Sequence, residues 1–414
     1  MPTWRSALSM LIAIALFAAA CGTGGDADDL AAPTPEQEAT VLLPPTPRDD
    51  QPVLADDQTE PTAPAAAADA TAAIVEPSPT PTTLPLNCLT PRQQYAQLLL
   101  PLATQSELAA ARDLAAAGDL GGLGLLGQPD GGLAALLADL QASSFVPILV
   151  ASDEEGGLVQ RLATLLGPLP SAADTATTNT PDEVQAAWLE YGSRVKDLGI
   201  DVVFGPVLDV GGAPGIGSRS FGEDPAQVTA YGRAVADGLT QAGIMPVFKH
   251  FPGHGRASGD SHLGLPLTPS LDELRTRDLV PYVDIVGGNQ RDDAAVMIAH
   301  LSVPGLSGDL PTSLSPETVN GLLKREIGFD GIVFTDAMNM GAIVDNYGTL
   351  DALERAFNAG VDIAILGSLA DVAPVLDHLL AVAEADPGFA ALLDNRVRRV
   401  LDAKGEAAIC LGAR

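Results

Sequence analysis

The sequence predicts an α/β fold, a (β/α)8 barrel of the TIM type, and three observations predict it. Short apolar runs alternate with amphipathic stretches of helical period from Thr90 to Lys404. The runs are apolar throughout instead of alternating, as strands covered on both faces are. Nearly every run ends in a charged or imidazole residue, namely Asp153, Asp209, Lys249 with His250, His300 and Asp336. Barrel enzymes place their chemistry at such strand ends. A doubly wound open sheet is the alternative, but no glycine-rich nucleotide turn follows the first run.

In chain order, a positive residue, Arg5, precedes the apolar run Ala7 to Ala20, and small residues end it at Cys21. That is the plan of a secretory signal, and the run is shorter than the ~20 residues a membrane span needs. Ala18-Ala19-Ala20-Cys21 resembles a bacterial lipobox, although Leu is usual at position 18. Residues 1–21 are therefore expected to be a lipoprotein-type signal with a lipid on Cys21. The alternative is an ordinary cleaved signal. Residues 22–87 are rich in Pro, Ala and Thr, and their many acidic side chains face one basic residue, Arg48. Too little of this stretch is apolar to offset its ordering entropy, so a disordered linker is expected. Residues 88–414 then form a single catalytic domain.

Within that domain, helices are expected at Thr90–Leu100 and Ser106–Ala117, each behind a capping residue. The strands follow at Gly121–Leu126, Val146–Ala151, Asp201–Phe204, Gly243–Lys249, Ala294–Ala299, Gly331–Thr335 and Val361–Leu366. An eighth is poorly defined. Helices are expected at Gly131–Ala142, Pro181–Leu198, Pro225–Ala242, Ala370–Ala385 and Phe389–Lys404. The net charge of −31 argues against nucleic acid or an anionic lipid surface as an electrostatic partner. Cys88 and Cys410 flank the folded part, and an exported pair is expected to form a disulfide, with free buried thiols as the alternative.

The stretch Lys249 to His262 holds three of the five histidines. Pro252, Gly253, Gly255 and Gly259 deny it a helix, so it reads as a site loop at a strand's carboxyl end. His250, His254, Asp260 and His262 lack the helical spacing of a zinc motif, and neither metal nor cofactor is expected.

Lys249-His-Phe-Pro-Gly-His-Gly255 with Asp260-Ser-His262 resembles glycoside hydrolase family 3, in its β-N-acetylhexosaminidase branch. So do Asp153-Glu-Glu-Gly-Gly157 with Val159-Gln-Arg161, Pro206-Val-Leu-Asp209, Arg219-Ser-Phe-Gly222, Met297-Ile-Ala-His300, and Gly328 to Asp336 with Met340. These motifs occur in the family's order. Leu158 stands where arginine is expected, and Val203 where asparagine is common. The resemblance implies a lone barrel, with the acid/base on a histidine-bearing loop instead of a second domain.

It also implies Asp336 as nucleophile and His262 as general acid/base oriented by Asp260. Asp153, Arg161, Arg219, Lys249 and His250 would contact the substrate. An imidazole titrates near neutrality and can give a proton, then take one from water. The expected activity is exo-acting, retaining hydrolysis of terminal β-linked N-acetylglucosamine, from peptidoglycan fragments. The protein would be a monomer, exported and lipid-anchored to the outer face of the bacterial cell membrane. A phosphorylase of the same fold and a non-catalytic carbohydrate-binding lipoprotein are the alternatives. His300 reads equally as a sugar contact or a core histidine, and His254 and Asp209 read as support. Asp362 reads as strand punctuation.

Overall fold

The computed structural model describes residues 88–405 apart from Leu263 and Asp292. The expected signal and lipid site at Cys21, the linker 22–87 and Cys410 lie outside the described residues. Eight strands form the frame: β1 Leu99–Thr104, β2 Gly122–Leu126, β3 Leu149–Ser152, β4 Val202–Val203, β5 Met245–Phe251, β6 Ala295–Ile298, β7 Ile332–Thr335 and β8 Ala364–Leu366. They pair in the order β8-β1-β2-β3-β4-β5-β6-β7. Each neighbouring pair in that row is parallel. A parallel bridge between Phe334 and Ile363 joins the ends of the row, so the sheet closes into a barrel. The open-sheet alternative is excluded.

The eighth strand is β1, in a place where the sequence reading extends a helix to Leu100. The helix is shorter, Pro91–Ala96, and begins at a capping box between Thr90 and Gln93. Pro101 could not have continued it, because proline lacks the donor and clashes with the preceding turn. Leu98, Leu99 and Leu100 are all buried, as a strand inside a helical shell must be.

Outer helices begin where capping chemistry allows. Thr180 and Glu183 cap Pro181–Asp197, and Asp224 caps Pro225–Gln241 with Pro225 in the first turn. Asp386 receives the Gly388 and Phe389 amides at the start of Pro387–Ala403. That last helix grips the barrel floor. Arg399 reaches the Asp362 carboxylate at 3.0 Å and the Gly331 carbonyl at 2.8 Å. Lys404 donates to Gln97, Gly121 and Pro147. Asp362 is more than punctuation: it is fully buried, accepts the Val333 amide, and faces Lys324 and Arg396 as well. Among the described residues no helix is long and apolar enough to cross a membrane.

Candidate active site

The strand ends carry the expected polar residues to one mouth. Asp153 follows β3, Lys249 and His250 lie within β5, and Asp336 follows β7. A cavity of about 170 Å³, the scale of one sugar ring, is lined by Asp153, Arg161, Arg219, Lys249, His250, Asp260, His262 and Asp336. All eight residues assigned to catalysis or substrate contact thus meet in one place.

A chain of ion pairs forms one wall. Lys249 Nζ lies 2.7 Å from Asp153 Oδ1 and 2.6 Å from Glu155 Oε1, and its side chain is only 2% exposed. Arg161 closes on Asp153 at 3.2 Å, and Arg219 grips Glu155 through two bonds of 2.7 Å. Burial works against the Asp153 charge, but Lys249 and Arg161 outweigh it and hold the carboxyl at about 2. Glu155 lies below the ordinary range for the same reason, through Lys249 and Arg219. Lys249 is desolvated, yet the two carboxylates hold it above its ordinary value. The wall is therefore a fixed array of charge and donors.

His250 is aimed by Asp209, which is fully buried and whose Oδ2 lies 2.7 Å from Nδ1. A carboxylate only accepts, so the proton sits on Nδ1, and Nε2 faces the Arg219 guanidinium at 3.3 Å. Asp209 also accepts the His254 amide at 2.6 Å, so it supports the rim and orients the wall. Glycine is required on this loop. A Cβ on Gly255 would stand 2.4 Å from the Val210 carbonyl oxygen, and Gly253 takes a φ of 133°. The His254 ring packs edge-on against His250 at 6.0 Å and lines the cavity, and its buried Nδ1 has no partner among the described residues. His300 is a core histidine: Nδ1 meets Ser313 at 2.7 Å and Nε2 meets the Ala337 carbonyl at 3.1 Å.

The same cavity is lined by Asp336, Asp260 and His262. The Asp336 carboxylate accepts one hydrogen bond among the described residues, from the Ala337 amide at 2.8 Å. Burial opposes its charge, but His250, His300, that amide and Lys249 keep its pKa below the ordinary value. Among the described residues nothing else donates to it. His262 Nδ1 stands 2.8 Å from Asp260 Oδ1, and Asp260 accepts the His262 amide too, at 3.0 Å. Those bonds, the amide first, lower the Asp260 pKa. The His262 side chain is 69% exposed, at the open end of the cavity. The loop is tied on its far side by the Ala342 amide to the Ser261 carbonyl.

Sequence reasoning missed Glu155 as a site residue. Asp153 and Glu155 are two apart, and in an extended segment that spacing puts both on one face. Glu154–Gly156 does pair antiparallel with Val159–Gln160 as a small hairpin. Leu158 is at its tip, 94% exposed, and Val203 is buried in β4. Neither lines the cavity. Among the described residues no group of three or more His, Cys, Asp or Glu is placed to hold a metal. Cys88 is disulfide-bonded.

Residues 127–403 match the family described as the glycosyl hydrolase family 3 N terminal domain. Beta-hexosaminidase LpqI of Mycobacterium tuberculosis is 45% identical over 286 residues, which cover 67% of this chain and 72% of that protein. The solved structure of M. tuberculosis LpqI superposes with a TM-score of 0.71 at 42% identity, covering 77% of this chain and 94% of that one. A family 3 β-N-acetylglucosaminidase from Paenibacillus sp. str. FPU-7 gives 0.72 at 32% identity, over 79% of this chain and 64% of that one. Barrel, motifs and relatives agree: the chain belongs to glycosyl hydrolase family 3 and is a glycoside hydrolase.

Proposed function

We propose that the chain is an exo-acting, retaining β-N-acetylglucosaminidase that works through a glycosyl-enzyme on Asp336. The observation that carries this reading is the pairing, in one cavity, of an underused carboxylate with an imidazole braced by a second carboxylate. Retention needs a nucleophile on one face of the sugar and a proton donor on the other. Asp336 attacks the anomeric carbon while His262, protonated, gives its Nε2 proton to the leaving oxygen. Water then enters at the open end, where His262 is exposed, and the same nitrogen takes its proton as the ester is hydrolysed. Asp260 accepts from Nδ1 in both steps, which keeps Nε2 as the reacting atom.

Lys249, Arg161, Arg219 and Asp153 offer donors and acceptors to the hydroxyls of a single terminal sugar, with Glu155 behind them holding Lys249 and Arg219 in place. The relatives named for β-hexosaminidase and β-N-acetylglucosaminidase activity support the acetamido sugar. Export and a lipid on Cys21 belong to the same proposal, and rest on Arg5, the Ala7 to Ala20 run and the small residues before Cys21. They would place the barrel near peptidoglycan fragments as substrate.

The test is turnover of p-nitrophenyl β-N-acetylglucosaminide followed by proton NMR. The β-anomer should appear first, before mutarotation. An α-anomer as first product would exclude retention, and no turnover on any N-acetylhexosaminide would favour a sugar-binding role.

A further inference from the structure

Beneath the hairpin that carries the charged wall lies an acid the mechanism does not use. Glu154 is 1% exposed and pairs across the hairpin with Gln160. Its Oε1 accepts from Ser152 Oγ at 2.6 Å and from the Leu162 amide at 3.2 Å. Its Oε2 accepts from Tyr191 Oη at 2.6 Å. Tyr191 in turn receives Gln160 Nε2 at 2.9 Å, and Gln160 Oε1 receives the Leu169 amide at 2.8 Å. The three residues bracketing this network in sequence are Asp153, Glu155 and Arg161, all part of the ion-paired wall.

Counting protons shows which charge state the network is built for. The Leu162 amide can only donate. Gln160 is fixed as donor toward Tyr191, because its own oxygen is taken by Leu169, so the phenol donates its hydrogen bond to Glu154. Three donors converge on one carboxyl, and among the described residues no cation pairs with it. A proton placed on either oxygen would cost the frame one of these bonds.

We propose that Glu154 is a positioning residue: its ionised carboxylate, held by Ser152, Leu162 and Tyr191, locks the hairpin so that Asp153 and Arg161 stand ready for the sugar while Glu155 holds Lys249 and Arg219. The proposal rests on the glycosidase reading of the cavity. Its charge is kept at the fold's expense. Burial pushes the carboxyl up to about 7, against the three hydrogen bonds that lower it, and the Asp153 charge adds to the rise. A carboxyl whose folded value exceeds its unfolded one withdraws stability as pH climbs between the two, here from about 4.5 to about 7. Tyr191 and Asp153 are the titratable groups that face it. Sugar recognition should therefore weaken as the solution turns mildly acidic, while the fold does not.

The test is the pH profile of kcat/KM on p-nitrophenyl β-N-acetylglucosaminide in the full chain. That ratio covers glycosylation, where the imidazole serves as acid, so loss on the acid side reports another group. The native protein should lose kcat/KM as pH falls through about 7. Glu154→Gln should lack that limb, with KM raised about three- to tenfold, the scale of one hydrogen bond, and kcat within about twofold. Tyr191→Phe keeps the acid but removes one donor, and should move the limb to higher pH. A limb unchanged in both variants would overturn the proposal, as would an unchanged KM. Calorimetric binding of N-acetylglucosamine at pH 6 and pH 8 separates this from the glycosidase reading. Without turnover, pH-sensitive binding that Glu154→Gln abolishes would retire the glycosidase and keep Glu154, whereas pH-independent binding would retire Glu154.

Discussion

Replacing Glu155 with glutamine removes the central anion of the charged wall while keeping its shape. The native carboxylate takes three short bonds, two from Arg219 at 2.7 Å and one from Lys249 at 2.6 Å. Its side chain is only 2% exposed, so water cannot replace what is lost. An amide has one acceptor oxygen, which at the Oε1 position keeps the Arg219 Nη2 and Lys249 bonds and loses the one from Arg219 Nε. Its nitrogen faces a cation as a second donor. One charge-assisted bond lost at about 1.5–3 kcal/mol, together with the anion that two buried cations pair with, gives roughly 3–5 kcal/mol, the scale for breaking a buried pair. The pH dependence has a definite sign. The Glu155 pKa is depressed on folding, so its contribution is full above the unfolded value and is lost as pH falls toward the folded one. Urea unfolding should show the full deficit at pH 7 and a smaller one at about pH 4, where the native protein loses its own advantage. KM for the glycoside should rise as Arg219 is released. A deficit below about 1 kcal/mol at pH 7, or one that does not narrow in acid, would refute the reasoning.

Further expectations concern the groups behind the wall, the floor and the chain end. Asp209→Asn would present a donor to His250 Nδ1 and reverse its tautomer, so kcat/KM should fall about 10–100-fold with little change in fold by circular dichroism. Asp362→Ala would leave Lys324, Arg396 and Arg399 together without their buried anion, at a cost of about 3–5 kcal/mol in urea unfolding at pH 7. Burial already pulls Lys324 down to about 8 despite Asp362, and a lysine lowered on folding lets stability recover as pH rises through that value. The Asp362→Ala deficit should therefore shrink by pH 9. For the disulfide on Cys88, non-reducing peptide mapping should link it to Cys410, and reduction should cost up to about 5 kcal/mol. A peptide linking Cys88 to any other cysteine would contradict that pairing.

What could be read from the sequence was local. Strands such as Ala295–Ile298 and Ile332–Thr335 announce themselves, because a short apolar run ending in a polar residue has few other readings. The cavity residues were legible for the same reason, since Asp153, Lys249 and Asp336 each stand at or beside such an end. What stayed hidden depended on partners distant in the chain. Leu99–Thr104 is as apolar as a buried helix turn, and only its pairing with β8 and β2 makes it a strand. Glu154 and Glu155 look alike in sequence, yet one lies beneath the hairpin against Tyr191 and the other faces Lys249. Asp362 looked like punctuation until the last helix brought Arg399 to it.

The central claim is that Asp336 carries the sugar covalently, and one measurement meets it head on. His262→Ala should still be glycosylated by a dinitrophenyl β-N-acetylglucosaminide, whose leaving group needs little protonation, but deglycosylation should stall for want of a base. Intact-protein mass spectrometry should then show one added N-acetylglucosaminyl group, and peptide mapping should place it on Asp336. Azide, which needs no general base, should discharge it as the β-glycosyl azide. An adduct on another residue, or brisk turnover with no adduct at all, would contradict the account.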